Sequence, residues 1–336
     1  MKLKSRTFAA SLIAAACMFA TVGAHAAATI INTAGTVALG VNDLGQLNTT
    51  TGSVAVNAGG NTGLAYKFAD GSFRDATAPG CLCEGWGVSV NNATSGWASQ
   101  DLFNNGGISN LTSTGFSSTA TTATSNVALT SLSGLTVTHA FSEADNAPGA
   151  LFKAVVTIRN NTGATVNDVK YVRAMDWDVP LTEFSEYVTI RGTATTTLLD
   201  RSTDNGFSNV NPLVDTGAIL GGTTDSDFED SGPADHGAYF RFNFGSLDDG
   251  EEYTFTIFYG ATASERTALA AIASEGIELF SLGQSSGTGG PTDGVPATYI
   301  FGFKGVGGVA LAPTPGSLAL VGLGLLGAGM VRRRRA

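Results

Sequence analysis

The chain has 336 residues, 44 of them glycine, and 43% of its residues are hydrophobic, so it can form one large or two ordinary domains and is too apolar for wholesale disorder. Glycine is nearly twice as frequent as its usual share of about 7%, which favours turn-rich β structure over a helical bundle or coiled coil. The net charge of −10 would repel a phosphate backbone, so we predict no nucleic-acid partner.

Residues 1–26 have the three parts of a secretory signal peptide. Three basic residues come first, Lys2, Lys4 and Arg6, and an apolar stretch runs from Phe8 to Val22. The small residues Ala24 and Ala26 then mark a site for signal peptidase, with cleavage after Ala26. The alternative is a membrane anchor, but about 15 apolar residues cover only about 22 Å of a roughly 30 Å hydrocarbon core.

Two cysteines remain after the leader, which contains Cys17. Cys81 and Cys83 lie within the run GCLCEGWG. In an extended chain their Cα atoms would be about 6.6 Å apart, near the upper limit for a disulfide, so a bridge requires a tightened turn, which the flanking glycines permit. We predict a disulfide because the compartment is oxidising; an intermolecular bond, a metal site and a redox site are the alternatives.

Two tryptophans lie in segments rich in glycine and asparagine. Trp86 and Trp97 could stack on sugar rings if they were exposed, whereas tryptophans buried in the core are the usual case. The first interpretation makes the chain a carbohydrate-binding module.

The middle of the chain alternates apolar and polar residues at the period of a β-strand. The runs at 135–141 and 152–158 show this pattern, and short exposed strands suit the Thr/Ser-rich residues 112–138. Asn160 to Gly163 then supplies turn residues before the run 166–177. We predict a hairpin from residues 152–177.

Further runs follow at 187–191, 240–244, 253–259 and 299–303. Residues 247–250, Leu-Asp-Asp-Gly, lie between the second and third of these runs and predict a second hairpin. One helix is expected from Glu265 onward, because Ser264 can cap it and Gly276 can end it.

Acidic residues suggest two kinds of site. Five carboxylates are dense in one polar loop, namely Asp225, Asp227, Glu229, Asp230 and Asp235. Calcium takes six to eight oxygen ligands, so these residues are candidate calcium ligands, and a solvated acidic loop is the alternative. Asp176 and Asp178 flank Trp177 and would face the same way on a strand; they are the only pair we can name for a glycoside hydrolase.

These elements predict a mainly β fold for residues 27–312, an antiparallel β-sandwich with one peripheral helix. Residues 156–169 and 242–257 weakly resemble immunoglobulin-like modules of bacterial surface proteins. One large sandwich or two packed Ig-like sandwiches would fit, the latter with a boundary near residues 144–149, where Asn146 and Pro148 break the strand pattern.

The C-terminal segment, residues 313–336, reverses the order of the leader. Pro313, Thr314 and Pro315 come before an apolar run from Leu318 to Val331. The run ends at four arginines, Arg332, Arg333, Arg334 and Arg335. The positive-inside bias holds these arginines in the cytoplasm, so the body would lie outside. A short membrane anchor is the simpler interpretation.

This segment resembles the PEP-CTERM sorting signal of Gram-negative bacteria, with Thr314 in the position where that signal usually has Glu. The resemblance implies transient membrane insertion of the tail, cleavage near the prolines by an exosortase-type protease, and an association with exopolysaccharide.

We therefore predict an exported protein of the outer surface or extracellular matrix. The leader and tail carry seven of the 18 basic residues and none of the 28 acidic residues, so the body has a net charge of −17. The predicted role is structural or adhesive, with extracellular polysaccharide as a partner and no catalysis. A carbohydrate-binding module and a secreted glycoside hydrolase are the alternatives. No cofactor is expected apart from Ca²⁺.

Overall fold

A computed structural model of the protein describes residues 26–287 and 293–310. The predicted leader other than Ala26 and the whole predicted sorting segment lie outside the described residues. No helix among the described residues is both long enough and apolar enough to cross a membrane.

Strands and one α-helix follow each other along the described chain. The first strands are β1 (Ala27–Ile31), β2 (Val37–Asn42), β3 (Leu64–Lys67), β4 (Phe73–Asp75), β5 (Glu84–Val90) and β6 (Thr94–Ser99). They are followed by β7 (Leu111–Ser118), β8 (Ala123–Leu129), β9 (Leu132–Glu143), β10 (Leu151–Asn160), β11 (Lys170–Trp177) and β12 (Glu186–Arg191). The last are β13 (Leu199–Thr203), β14 (Phe228–Ala234), β15 (His236–Asn243), β16 (Glu252–Thr262), helix α1 (Glu265–Glu275), β17 (Leu279–Ser285) and β18 (Thr298–Lys304).

The strands form three antiparallel sheets. The first has the order β1-β2-β3-β4, the second β14-β12-β17-β18-β16-β10-β9-β8-β7, and the third β13-β15-β11-β5-β6. One hydrophobic core takes side chains from all three sheets. Its centre lies between the nine-stranded and five-stranded sheets, where the ring centroids of Phe240 and Phe301 are 5.7 Å apart and those of Phe242 and Phe303 are 4.9 Å apart. The predicted mainly β sandwich is confirmed.

Helix α1 lies on the outer side of the nine-stranded sheet and has the predicted ends. Ser264 accepts a hydrogen bond from the backbone N–H of Thr267, and Gly276 ends the helix with a φ of +67°. Its buried face, including Ala268 and Ile272, packs against a separate small core. The helix is therefore peripheral, as the sequence predicts.

The two predicted hairpins are wrong. Strand β10 pairs with β9 and β16 in the nine-stranded sheet, whereas β11 pairs with β15 and β5 in the five-stranded sheet. Likewise, β15 lies in the five-stranded sheet and β16 in the nine-stranded sheet. The two predicted turns are therefore crossings between the sheets, and they contact each other: the N–H of Gly163 donates to Asp249 (2.8 Å), and Thr165 donates to Asp248 (2.6 Å).

Residues 144–149 connect neighbouring strands of a single sheet. Glu143 at the end of β9 is paired with Phe152 of β10, and the shared core extends on both sides of this connection. Residues 144–149 therefore join two hydrogen-bonded strands of the nine-stranded sheet.

A charged pair lies inside the core. The side chains of Arg173 on β11 and Glu84 on β5 form an ion pair and are both 0% exposed. Glu84 also accepts from the backbone N–H of Leu47 (2.7 Å), and Arg173 donates to the carbonyl of Gly45 (3.2 Å). Burial opposes the charge on Arg173, but the interactions with Glu84, Tyr259 and Tyr171 together outweigh it and raise the pKa of Arg173. The pair thus attaches the loop after β2 to the core.

Aromatic side chains surround this pair. Trp86 donates its indole N–H to the carbonyl of Leu44 (2.7 Å) and stacks on Tyr171 with ring centroids 5.7 Å apart. The hydroxyl of Tyr171 lies 2.9 Å from Nε2 of the fully buried His139. Trp86 and His139 are therefore parts of the core.

Candidate functional site

The candidate site lies where the chain passes between the two large sheets. Strand β11 ends at Trp177, which is paired with His236, the first residue of β15. Residues before and after Trp177 face the same way because side chains alternate along a strand. Asp176 and Asp178 therefore share a face, and Asp235 precedes His236 on the neighbouring strand.

Three carboxylates meet at this point. One oxygen each from Asp176, Asp178 and Asp235 can be chosen so that all lie within 4.8 Å of one another. Glu186 is also close, since it is paired with Ala234 at the start of β12. Asp235 and Ala234 join β14 of the nine-stranded sheet to β15 of the five-stranded sheet, so the acidic cluster (Asp176, Asp178, Glu186 and Asp235) connects both sheets.

The carboxylates of Asp176, on β11, and Asp178, just after β11, have oxygens without a hydrogen-bond donor. Asp178 is 0% exposed and neither of its carboxylate oxygens has a partner among the described residues; Asp176 is 1% exposed and its Oδ1 also has none. Oδ2 of Asp176 lies 3.7 Å from Sγ of Cys81. A buried carboxylate without compensation is costly, so this site requires either protons or a cation.

The pKa of Asp178 agrees with the need for protons or a cation at this site. Burial raises the pKa of Asp178 to about 10, and the charges of Asp176, Glu186, Asp235 and Asp75 add to the shift.

The pKa values of Glu186 and Asp176 are also raised. Burial raises the pKa of Glu186 to about 9, with added repulsion from Asp176 and Asp235, although backbone N–H groups of His236 and Ser185 lower it. Burial, followed by the charge of Asp235, raises the pKa of Asp176 far above its usual range.

A buried aspartate–histidine pair supports the strand that carries Asp235. Nδ1 of His236 lies 3.0 Å from a carboxylate oxygen of Asp204, and both side chains are 0% exposed. Asp204 also accepts from the backbone N–H groups of Ile219 (2.8 Å) and Leu220 (3.0 Å). The backbone N–H of His236 donates to Glu186 (3.1 Å). These bonds fix the position of Glu186 relative to β15.

The acidic loop predicted to bind calcium is not brought together as one site. Asp225 accepts from the backbone of Ser202 (2.7 Å), Asp227 from the backbone and hydroxyl of Thr193 (2.8 and 2.7 Å), and Glu229 pairs with Arg191 (2.9 Å). Burial, with repulsion from Glu229, raises the pKa of Asp230. Among the described residues, Asp235 alone of the five belongs to a group of three potential metal ligands.

Cys81 and Cys83 form a disulfide beside the acidic cluster. Their Cα atoms are 5.1 Å apart, closer than in an extended strand, so the chain turns here as the sequence analysis requires. Nδ2 of Asn104 lies 3.5 Å from Sγ of Cys83.

The tryptophans and the carboxylate pair proposed for catalysis are not arranged at an open cleft. Trp86 is 0% exposed, so it offers no face to a sugar. Trp97 is half-buried and donates its indole N–H to Gly106 (3.0 Å). Asp176 and Asp178 are 1% and 0% exposed, so both carboxylates are buried.

The arrangement suits a hard divalent cation. Oxygens bound to one calcium ion at 2.3–2.6 Å can be at most about 5 Å apart, and the three aspartates satisfy this limit. Sequence reasoning found Asp176, Asp178 and Asp235 in separate contexts but missed Glu186; the strand register that unites them was the absent information. Neither a known family model nor a curated protein matches this chain.

Proposed function

We propose that the protein is an exported structural component of the cell surface or extracellular matrix whose β-sandwich is stabilised by a bound calcium ion. The observation that carries the cation is Asp178, a fully buried carboxylate with no hydrogen-bond partner among the described residues, beside Asp176 and Asp235.

The ligand chemistry favours calcium over softer metals. All the converging groups are carboxylates, and oxygen ligands suit calcium and magnesium, whereas zinc and copper prefer nitrogen and sulfur. Magnesium demands near-ideal octahedral geometry, while calcium accepts irregular shells that mix carboxylate, carbonyl and water. Asp235 is exposed, so water can complete the shell from its side.

A cation at this position would act as a tie between sheets. Asp176 is on β11 of the five-stranded sheet and Asp178 directly follows it, whereas Asp235 directly follows β14 of the nine-stranded sheet. An ion bound by both sides stabilises the folded state without any change of fold, because the unfolded chain does not assemble the ligands. Such added stability would suit a protein that works as a scaffold.

Calcium binding is tested by equilibrium dialysis of the purified body, residues 27–312. We expect about one tightly bound calcium ion per chain in the unmodified protein and none in Asp178→Asn, because the amide cannot supply a charged ligand. Asp227→Asn is the matched control: its carboxylate accepts from Thr193 and lies outside the acidic cluster, so binding should persist. If Asp227→Asn lost calcium and Asp178→Asn kept it, the ion would be bound by the loop predicted from the sequence and not by the acidic cluster.

Export is proposed from the two terminal signals and the acidic body. The leader would be removed by signal peptidase and the tail by an exosortase-type protease, leaving the body outside the inner membrane of a Gram-negative cell, in contact with extracellular polysaccharide. We expect cells producing the full chain to release the body to the surface or medium, and cells producing residues 1–312 to lose surface retention. Full-length protein dissolved in the cytosol would contradict the proposal.

A further inference from the structure

One exposed aromatic side chain is held in an unfavourable backbone conformation. Phe184 is 50% exposed, and its φ is +70°. Bulky residues rarely adopt this left-handed conformation, and strained positions of this kind concentrate at binding sites. Burial of the ring would compensate for the strain, but half of the residue's surface remains in solvent. The backbone conformation of Phe184 therefore indicates a role of this residue in binding.

The absence of a side chain at Gly80 leaves room for the ring of Phe184. A Cβ atom at Gly80 would lie 2.6 Å from Cε1 of Phe184, and the φ of Gly80 is +73°. Only glycine combines that backbone conformation with such a close approach. The ring thus lies close to the backbone of Gly80, and both residues line a cavity of about 430 Å³, which Asn61, Pro79 and Glu183 also line.

A second cavity adjoins the first. It has a volume of about 310 Å³, and Asn61 lines both cavities. Neutral amide and hydroxyl side chains form most of its wall, namely Asn42, Asn48, Thr49, Thr50, Thr51 and Gln100. None of the described residues that line it has an ionisable side chain.

Asn48 offers an unused donor at this wall. The residue is 1% exposed, its Oδ1 accepts from the hydroxyl of Thr77 (3.2 Å), and its Nδ2 has no partner among the described residues. A buried amide NH₂ without an acceptor indicates a bound water or ligand, because such groups are nearly always hydrogen-bonded.

We propose that these adjoining cavities bind a neutral saccharide, with one sugar ring stacked on Phe184 and the hydroxyls of the next bonded to Asn61 and Asn48. Aromatic rings with a few polar groups fix the orientation of small ligands in such cavities. A sugar offers C–H faces to the ring and hydroxyls to the amides. The body's net charge of −17 disfavours an acidic polymer, so the ligand is an uncharged one.

The proposal is tested by isothermal titration of the calcium-loaded body with cellotetraose, maltotetraose, mannotetraose and a β-1,3-glucan tetrasaccharide. We expect at least one to bind at millimolar concentration, and Phe184→Gly to weaken it about tenfold, the effect of losing one aromatic contact. Phe103→Ala is the matched control: Phe103 is 93% exposed and lines neither cavity, so its loss should leave binding unchanged.

Thermal unfolding of Phe184→Gly separates a binding role from a structural one. Glycine adopts a φ of +70° without strain, so we expect an unchanged or higher melting temperature together with the weaker binding. Failure of all four tetrasaccharides to bind, equal binding by Phe184→Gly, or a lowered melting temperature without a binding defect would overturn the proposal. Calcium dialysis reports on the acidic cluster separately, so the two proposals fail independently.

Discussion

Arg173→Met should destabilise the body by about 3–5 kcal/mol, the usual result when one partner of a buried ion pair is removed. Methionine fills part of the arginine volume, but Glu84 then keeps a buried carboxylate whose one remaining hydrogen bond among the described residues comes from the backbone of Leu47. The carbonyl of Gly45 also loses its donor. Urea unfolding of the two proteins, with equal denaturant slopes, measures the difference.

Two further variants show whether burial causes the loss. Arg159 pairs with Glu252 at 3.3 Å, and each side chain is 49% exposed, so Arg159→Met should cost less than about 1 kcal/mol. The double variant Arg173→Met with Glu84→Gln should recover much of the stability, because it removes the uncompensated charge while keeping an acceptor for Leu47. A loss no larger for Arg173→Met than for Arg159→Met would contradict this account of the core.

The sequence predicts the class of fold but not the partners of its strands. Alternation along residues 152–158 and 253–259 shows which side chains face the core, because side chains on a strand have a period of two. It contains no information on which strand lies alongside. Short turns favour a hairpin, yet after Asn160 and after Phe244 the chain crosses to the opposite sheet. The helix was predictable because its cap residues, Ser264 and Gly276, act locally.

The proposed calcium site differs from the predicted acidic loop for a related reason. The high density of carboxylates in residues 225–235 led to the predicted loop site. The structure instead brings together carboxylates that lie far apart in sequence. Asp176 and Asp235 come together because β11 and β15 pair with Asp176 opposite Gly237, a register that no local pattern contains. The alternation Asp176-Trp177-Asp178 at a strand end was the usable signal. Asp235, immediately before β15, is the third carboxylate of the group.

Without calcium, the protein should lose stability as the pH rises. The folded-state pKa is raised to about 10 for Asp178 and to about 9 for Glu186, and to about 6 for Asp75, by burial above all. In the unfolded chain, carboxyls titrate near pH 4. Above that value the folded state therefore holds more protons than the unfolded state. Stability then falls by up to about 1.4 kcal/mol per pH unit for each such proton.

Calcium should cancel most of this loss. The ion replaces the protons on Asp176, Asp178 and Asp235, so its binding strengthens as the pH rises. At a hundredfold excess over the dissociation constant, it adds about 2.7 kcal/mol to the free energy of unfolding. Asp178→Asn removes one titrating group and one ligand, so this variant should be less sensitive both to pH and to calcium. Asp227→Asn should behave like the unmodified protein.

The decisive measurement is the free energy of unfolding in excess calcium minus that in chelator, at about pH 5 and about pH 9. Because the carboxylates of the acidic cluster bind either protons or the ion, this difference should be small in acid, large in alkali and absent in Asp178→Asn. A difference that is zero at both pH values, or one that persists in Asp178→Asn, would contradict a calcium tie between the sheets.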